Sequence, residues 1–379
     1  MPKPRVLVFI DWYLPGYRAG GPVRSMANLV DHLRDRVSFH IVARNTDYTT
    51  SDPYPGVVPD SWTPMPGGER VWYASKKGTT WKAWKRILRE EQWDVVYTNG
   101  LYSWWYNILP LWLARGLKAR RVVAVRGMLA SGAMRHGMVR KLLFLSLARM
   151  MDLYKGVCFQ ATNEEEAKDI RMHVQKFAEV RVVPNLPKVA GGERLPVHKE
   201  PGSAKLVSVA RIAVEKNTLL AINSLRGLAG QVQYNLYGPV YDTAYWEQCL
   251  AAIARLPPNV KVKHKGTVPP DAVPDVLAAH HALFMPSAGE NFGHTMLEAL
   301  SVGRPLLISD RTPWRMLERD QAGWDLPLDI ADGFTRAVQQ ICEMDQVEYD
   351  RWSDGAFARG TRYLADQAPV EASLKLFLP

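Results

Sequence analysis

Cysteine is scarce in this chain. Three occur in 379 residues, at Cys158, Cys249 and Cys342, each isolated from the others. An odd, scattered set excludes a disulfide frame and a thiolate zinc site. Long apolar runs are missing as well. No segment approaches the ~20 apolar residues that a membrane-crossing helix needs. The N-terminal run VLVFI ends at Asp11, too soon for a secretory h-region, so a cytoplasmic protein is expected. Negative charge is absent from 101–150, where nine Lys and Arg stand without one Asp or Glu. Residues 1–192 hold 29 basic and 16 acidic residues, and the remainder holds 19 and 22. The net charge of +10 therefore arises in the first half, which is expected to face something anionic. Two fingerprints are lacking too: there is no G-x-G-x-x-G, and no D-x-D pair stands where a strand end would present a metal.

What the chain does contain is a regular alternation of short apolar strands and helical periodicity. Strands are expected at 5–10, 38–43, 94–98, 121–125, 157–161 and 180–183. A second set is expected at 205–209, 233–237, 259–264, 282–285 and 305–309. The segment 186–203 has the composition of a linker. The pattern predicts an α/β protein of two Rossmann-like parallel-sheet domains, 1–192 and 193–361. Residues 46–68, rich in Pro, Gly and Thr, read as a loop. Trp81, Trp84 and Leu88 share one helix face and read as core. The helix expected over 138–151 has a broad apolar stripe, with Arg140, Lys141 and Arg149 on its other side.

The most informative stretch is MPSAGENFGHTMLEALSVGRPLLISD, residues 285–310. A buried strand runs into a loop, and the loop opens a helix near Gly293 whose apolar side carries Met296, Leu297 and Leu300. The backbone N–H groups of Asn291, Phe292, Gly293, His294 and Thr295 then form an anion-ready helix start. Glu290 sits in the loop, and Glu298 lies one turn inside on the row of His294. Such an end can hold a diphosphate while two carboxylates accept hydroxyl hydrogen bonds from flanking sugars. Arg211 and Lys216 straddle the strand-to-helix turn after 205–209 and can both reach one diphosphate. A surface ion-pair cluster around Glu215 is the alternative for that pair. Gly20-Gly21-Pro22 precedes a helix with Met26, Leu29, Val30 and Leu33, and serves either close phosphate approach or a structural turn. Strand ends at Asn99-Gly100 and Gly238-Pro239 are further places where parallel sheets present ligands.

Glu290-Asn-Phe-Gly…Glu298, with Pro286-Ser287 before it and Gly303-x-Pro305 after it, resembles the E-x7-E motif of retaining glycosyltransferases of family 4. The resemblance covers nearly the whole chain and implies the GT-B fold, with two Rossmann-like domains facing one cleft. It implies that the last helix, within 362–379 and centred on 367–377, packs back on the first domain. Arg211-x4-Lys216 matches the family's phosphate-binding pair. By the same resemblance Glu290 holds donor-sugar hydroxyls, Glu298 the ribose, and the backbone at Thr267-Val268 the nucleobase. Gly20-Gly21 would lie near the donor diphosphate. Arg126-Gly127-Met128-Leu129 matches a loop found in part of the family, so Arg126 and Met128, with Asn99, are assigned to the acceptor side. Many relatives carry a histidine at that loop; none stands here, and His136 lies ten residues past Arg126.

The expected activity is transfer of a sugar from a UDP- or GDP-type nucleoside diphosphate sugar to an acceptor hydroxyl, with retention, without metal and without a further cofactor. Catalysis is assigned to Glu290, Arg211 and Lys216. A saccharide or lipid-linked acceptor in bacterial surface polysaccharide, lipopolysaccharide or glycolipid assembly is expected. The basic stretch 101–150 is expected to meet an anionic membrane surface from the cytoplasmic side, or else to form a solvated basic face. Nucleic acid is not expected, because the basic residues lie between buried elements. A nucleotide-sugar epimerase and a non-enzymatic binder of anionic polymers are the alternatives.

Overall fold

The computed structural model describes residues 2–135, 137–174, 176–188, 193–330 and 332–378. His136 and the expected domain boundary at 192 lie outside the described residues. The chain divides into two compact units, Met1–Val189 with Gln367–Pro379, and Ala190–Asp366.

The first unit is built on β1 (Arg5–Phe9), β2 (Ser38–Arg44), β3 (Trp62–Pro64), β4 (Arg70–Ala74), β5 (Val95–Asn99), β6 (Arg120–Ala124), β7 (Val157–Ala161) and β8 (Glu179–Val182). Their order is β3-β4-β2-β1-β5-β6-β7-β8, parallel throughout except for β3, which runs antiparallel to β4. Runs such as VLVF and VVYT suit a sheet buried on both faces. Alternate residues confirm it: Val6, Val8 and Ile41 face one core, whereas Leu7, Phe9 and Val42 face another with Trp72 and Trp84. The loop expected over 46–68 holds β3, and β4 follows directly after it. Val71, Trp72 and Tyr73 give too short a run, next to Pro and Gly, for the sequence to reveal a strand that is stabilised by β2. Trp84 and Leu88 are core as expected, but Trp81 is about half exposed, with Lys85 Nζ 5.5 Å from its ring.

The chain's last segment belongs to this unit. Helix Ala368–Lys375 packs beside helix Gly21–Leu33, and Phe377 stands edge-on to Phe39 and Tyr97 at 5.6 and 5.5 Å. Val370, Leu374, Leu376 and Phe377 are buried in the core of β1 and β2. Each such apolar side chain contributes roughly 1.5–3 kcal/mol.

The second unit holds β9 (Ser203–Val209), β10 (Gln231–Tyr237), β11 (Val260–His264), β12 (Ala282–Met285), β13 (Leu306–Ser309) and β14 (Gly323–Leu326), all parallel, in the order β11-β10-β9-β12-β13-β14. Leu206, Tyr234, Phe284 and Leu307 face one core; Val207, Leu283, Met285 and Ile308 face the other. A 20-residue helix, Gln346–Ala365, closes the unit and was not anticipated. It packs against helix His294–Ser301.

The two strand orders matter for function. Among the parallel strands the order reverses between β1 and β5 in the first sheet and between β9 and β12 in the second. Open parallel sheets bind ligands outside the carboxyl ends of the strands at such a switch point.

Candidate functional site

Arg211 and Lys216 follow β9, and Glu290 follows β12, so both loops leave the switch point of the second sheet side by side. Lys216 Nζ lies 2.5 Å from Glu290 Oε1, joining residues 74 positions apart. Both side chains are largely shielded, 18% and 14% exposed. Arg211 points elsewhere and pairs with Glu215 at 3.0 Å, both partners being exposed. The two expected cations thus have different surroundings, and the ion pair foreseen as the alternative exists for Arg211. An exposed pair of this kind is worth little and leaves Arg211 able to exchange its partner.

Backbone straps hold the two loops together. Ala288 N–H donates to the Glu215 carbonyl at 2.8 Å, and Asn217 Nδ2 donates to the Pro286 carbonyl at 2.8 Å. Asn217 adopts a left-handed conformation, φ +52°, which Asn tolerates better than most residues. On the other side Glu290 N–H donates to the Arg311 carbonyl at 3.1 Å. Asn217 and Arg311 position Glu290 without being foreseen from the sequence. A polar residue after a strand-to-helix turn was the one signal available for Asn217; Arg311 acts through its backbone and leaves none.

Helix His294–Ser301 begins at Gly293, φ +77°, an N-cap residue with no side chain to cap it. A Cβ at Gly293 would stand 2.6 Å from Met296 Sδ, so glycine is required for both dihedral and space. Met296, Leu297 and Leu300 are buried as expected. Phe292 is buried rather than presented: its ring lies 5.8 Å from Tyr363 and 4.6 Å from His294, and its carbonyl accepts from Trp314 Nε1 at 2.8 Å. Its contribution to a ligand is therefore limited to backbone. Thr295 Oγ1 donates to the Val209 carbonyl at 3.3 Å, tying the helix start to the end of β9. Glu298 and Asn291 are partly buried, and Glu298 lies one turn along from His294.

Gly238 has a structural reason of its own. At φ +149° a Cβ would fall 1.9 Å from the Ala210 carbonyl oxygen, because the chain leaving β9 passes directly over it. Thr267 is exposed, and Val268 packs, partly buried, against the core that holds Met285 and Ile308.

The residues assigned to the acceptor side lie in the first unit and are tied into its interior. Arg126, φ +57°, donates from Nε to Asn99 Oδ1 at 3.0 Å and from a terminal nitrogen to Tyr97 Oη at 2.9 Å; another nitrogen reaches Asn185 Oδ1. Tyr97 in turn donates to Gln160 Oε1 at 2.5 Å, and burial raises its hydroxyl's pKa. Asn99 Nδ2 is buried without a partner among the described residues. Met128 folds onto Gly100, where a Cβ would meet its methyl at 2.9 Å. Gly127 N–H is held by Glu166 Oε1. This loop is a braced network rather than a set of groups pointing outward. Gly20 caps helix Gly21–Leu33 at φ +73°, and a Cβ on Gly20 or Gly21 would meet nothing within 4 Å. The backbone there is open on one side. Nearby at the switch point, Asp11 accepts from Ser103 Oγ at 3.0 Å and pairs with Arg44; burial raises its carboxyl pKa despite the arginine.

Two mostly parallel-sheet units, each with a switch point and a glycine-bearing helix start beside it, make up the GT-B fold. Family comparison agrees: residues 194–358 match the model described as "Glycosyl transferases group 1", and residues 20–186 match the glycosyl transferase 4-like domain. Together they span most of the chain, which belongs to the group 1 glycosyltransferases with a family 4-like first domain. No curated protein matches by sequence. Among solved structures, sucrose-phosphate synthase from Thermosynechococcus elongatus is 15% identical, with a TM-score of 0.66 over 99% of this chain and 97% of that one. HepE of Anabaena, solved with UDP-glucose, is 14% identical, TM-score 0.68, over 98% of each chain. WaaG, a glycosyltransferase involved in lipopolysaccharide biosynthesis, is 13% identical, TM-score 0.67, over 97% and 98%. At such identities the likeness is one of fold.

Proposed function

We propose that this glycosyltransferase moves a sugar, with retention of anomeric configuration, from a nucleoside diphosphate sugar of UDP or GDP type to an acceptor hydroxyl. The observation that carries the reading is the meeting of Lys216 and Glu290 at the switch point of the second sheet, beside a helix start whose N-cap residue is a glycine. The diphosphate sits on the N–H groups at 291–295, and Lys216 and Arg211 neutralise charge on it as the sugar leaves. Glu290 accepts hydrogen bonds from the transferred sugar, and Glu298 from the ribose. The bond from the anomeric carbon to the phosphate oxygen breaks, and the acceptor oxygen bonds on the same face. The acceptor's proton passes to the departing phosphate oxygen. No metal and no added cofactor take part in this scheme.

HepE's complex with UDP-glucose supports a uridine donor, and WaaG's pathway supports an acceptor in bacterial surface polysaccharide or glycolipid assembly. Such an acceptor places the enzyme peripherally at the inner face of the membrane. Among the described residues no helix is long and apolar enough to cross it. The test is donor hydrolysis followed by proton NMR, with UDP- and GDP-sugars offered in parallel. Slow release of sugar that first appears in the donor's own anomeric form, unchanged by a chelator, is expected. Release in the opposite form would contradict retention, and loss of activity on chelation would contradict metal-free transfer.

A further inference from the structure

The helix Met138–Met150 departs from its expected packing. Only Leu145 and Ala148 are buried, and Lys141 turns inward, its Nζ 5.7 Å from the centre of the Tyr102 ring. The apolar stripe points out. Val139 is 68%, Leu143 66% and Met150 78% exposed, and Leu142 and Leu147 are exposed beside them. With about 100° per residue, Val139, Leu143 and Met150 form an outward ridge interrupted only by Ser146. Arg140 and Arg149 stand at its two borders, roughly 180° apart.

The surroundings extend the same character. Arg149 donates to the carbonyls of His173 and Val174, which ties the ridge to the end of helix Glu164–His173. There Met172 and Phe177 are exposed, Phe177 at 86%, with Lys176 Nζ 5.8 Å from its ring. At the ridge's C-terminal end Arg115 donates to the Met151 carbonyl. The ridge helix has no carboxylate; Asp152 just beyond it lies 3.9 Å from Lys155.

We infer that this ridge is the element by which the protein docks on an anionic lipid bilayer, with its apolar side chains entering the interface and the bordering arginines at headgroup level. An apolar face edged with Lys and Arg is the pattern of helices that lie in a membrane surface. Charge complementarity selects this occupant. A second copy seated ridge to ridge would bring like-charged borders together with no carboxylate on the helix to pair them. The inference rests on the peripheral membrane reading above and adds the surface responsible.

The test uses the full chain and vesicles, either rich in phosphatidylglycerol or of phosphatidylcholine alone. Cosedimentation is expected with the anionic vesicles, much less with the neutral ones, and weakened at about 0.5 M salt. The double variant Leu143→Ser/Met150→Ser replaces exposed side chains, so its melting temperature should stay at the wild-type value while vesicle affinity falls at least about tenfold. Arg140→Gln should lose about fivefold. Equal binding to both vesicle types, no binding to either, or unchanged binding by the double variant would overturn the inference. So would a dimer, seen by sedimentation equilibrium, that the double variant dissolves. Nucleoside diphosphate binding is measured on the same preparations, so failure here is distinguishable from failure of the donor-site reading.

Discussion

Lys216 and Glu290 are largely shielded from water and pair with one another. Removing the lysine alone leaves a carboxylate without its cation. Lys216→Ala should therefore lower stability by about 1–3 kcal/mol, in addition to weakening nucleoside diphosphate binding. The double variant Lys216→Met/Glu290→Gln should recover much of that stability and none of the affinity. Denaturant unfolding and nucleotide titration on both variants check this. The two glutamates separate by kinetics. In the proposed reaction Glu290 holds a sugar whose ring gains charge as the bond breaks, and Glu298 holds a ribose that undergoes no chemistry. Glu290→Gln should lower kcat about ten- to hundredfold, with UDP affinity near wild type; Glu298→Ala should mainly raise the donor KM. Full turnover in Glu290→Gln would remove the sugar contact from the account. The two glutamates, Gly293 and both cations stand out in the sequence by residue type and spacing, and the structure brings Lys216 and Glu290 together. The Arg211–Glu215 pair was foreseen as the alternative; that Lys216 would meet Glu290 was not readable. It depends on which strands lie side by side.

At the scale of elements, β12 and β13 were legible as unbroken apolar runs buried on both faces, whereas β14 was not foreseen. Helix Gln346–Ala365 was not, and its glycines explain why. Gly355 and Gly360 read as breakers, yet each marks a close approach: a Cβ would stand 2.3 Å from the Asp320 carbonyl oxygen and 2.9 Å from the Leu300 carbonyl carbon. The second places this helix directly against the site helix. Trp352, stacked on Trp324 at 4.3 Å, adds to the same packing. β4 was missed for the opposite reason, since a five-residue strand beside a Pro- and Gly-rich stretch owes its existence to pairing with β2. Gly238→Ala tests the element-level reading. Its Cβ would overlap the Ala210 carbonyl, so a loss of at least about 3 kcal/mol is expected from overpacking and a strained dihedral. Unfolding in urea measures it, and a loss of about 0.5 kcal/mol or less, the size typical of harmless surface changes, would show that the crossing is loose.

At the scale of the whole molecule, buried histidines set an acid limit. His281 accepts from Lys205 N–H at Nδ1 and reaches the His198 carbonyl through Nε2, so the neutral ring is fully used. Burial lowers its pKa to about 4, and burial also lowers those of His280 and His40. In the unfolded chain such a ring titrates near 6.5. Between these values the unfolded state binds the extra proton, so stability rises with pH across the window and is lost on acidification. For His281 alone the loss is about 2 kcal/mol on going from pH 7.5 to pH 5. Urea unfolding at the two pH values should show it, and His281→Asn should flatten the dependence. A stability independent of pH there would mean that the rings are not held neutral.

Calorimetric titration of UDP, GDP and ADP into the wild type and into Lys216→Ala addresses the donor site most directly. The account predicts micromolar binding of one of the three, with UDP favoured, and a loss of at least about tenfold in the variant. No binding of any nucleoside diphosphate, or equal affinity in Lys216→Ala, would contradict it.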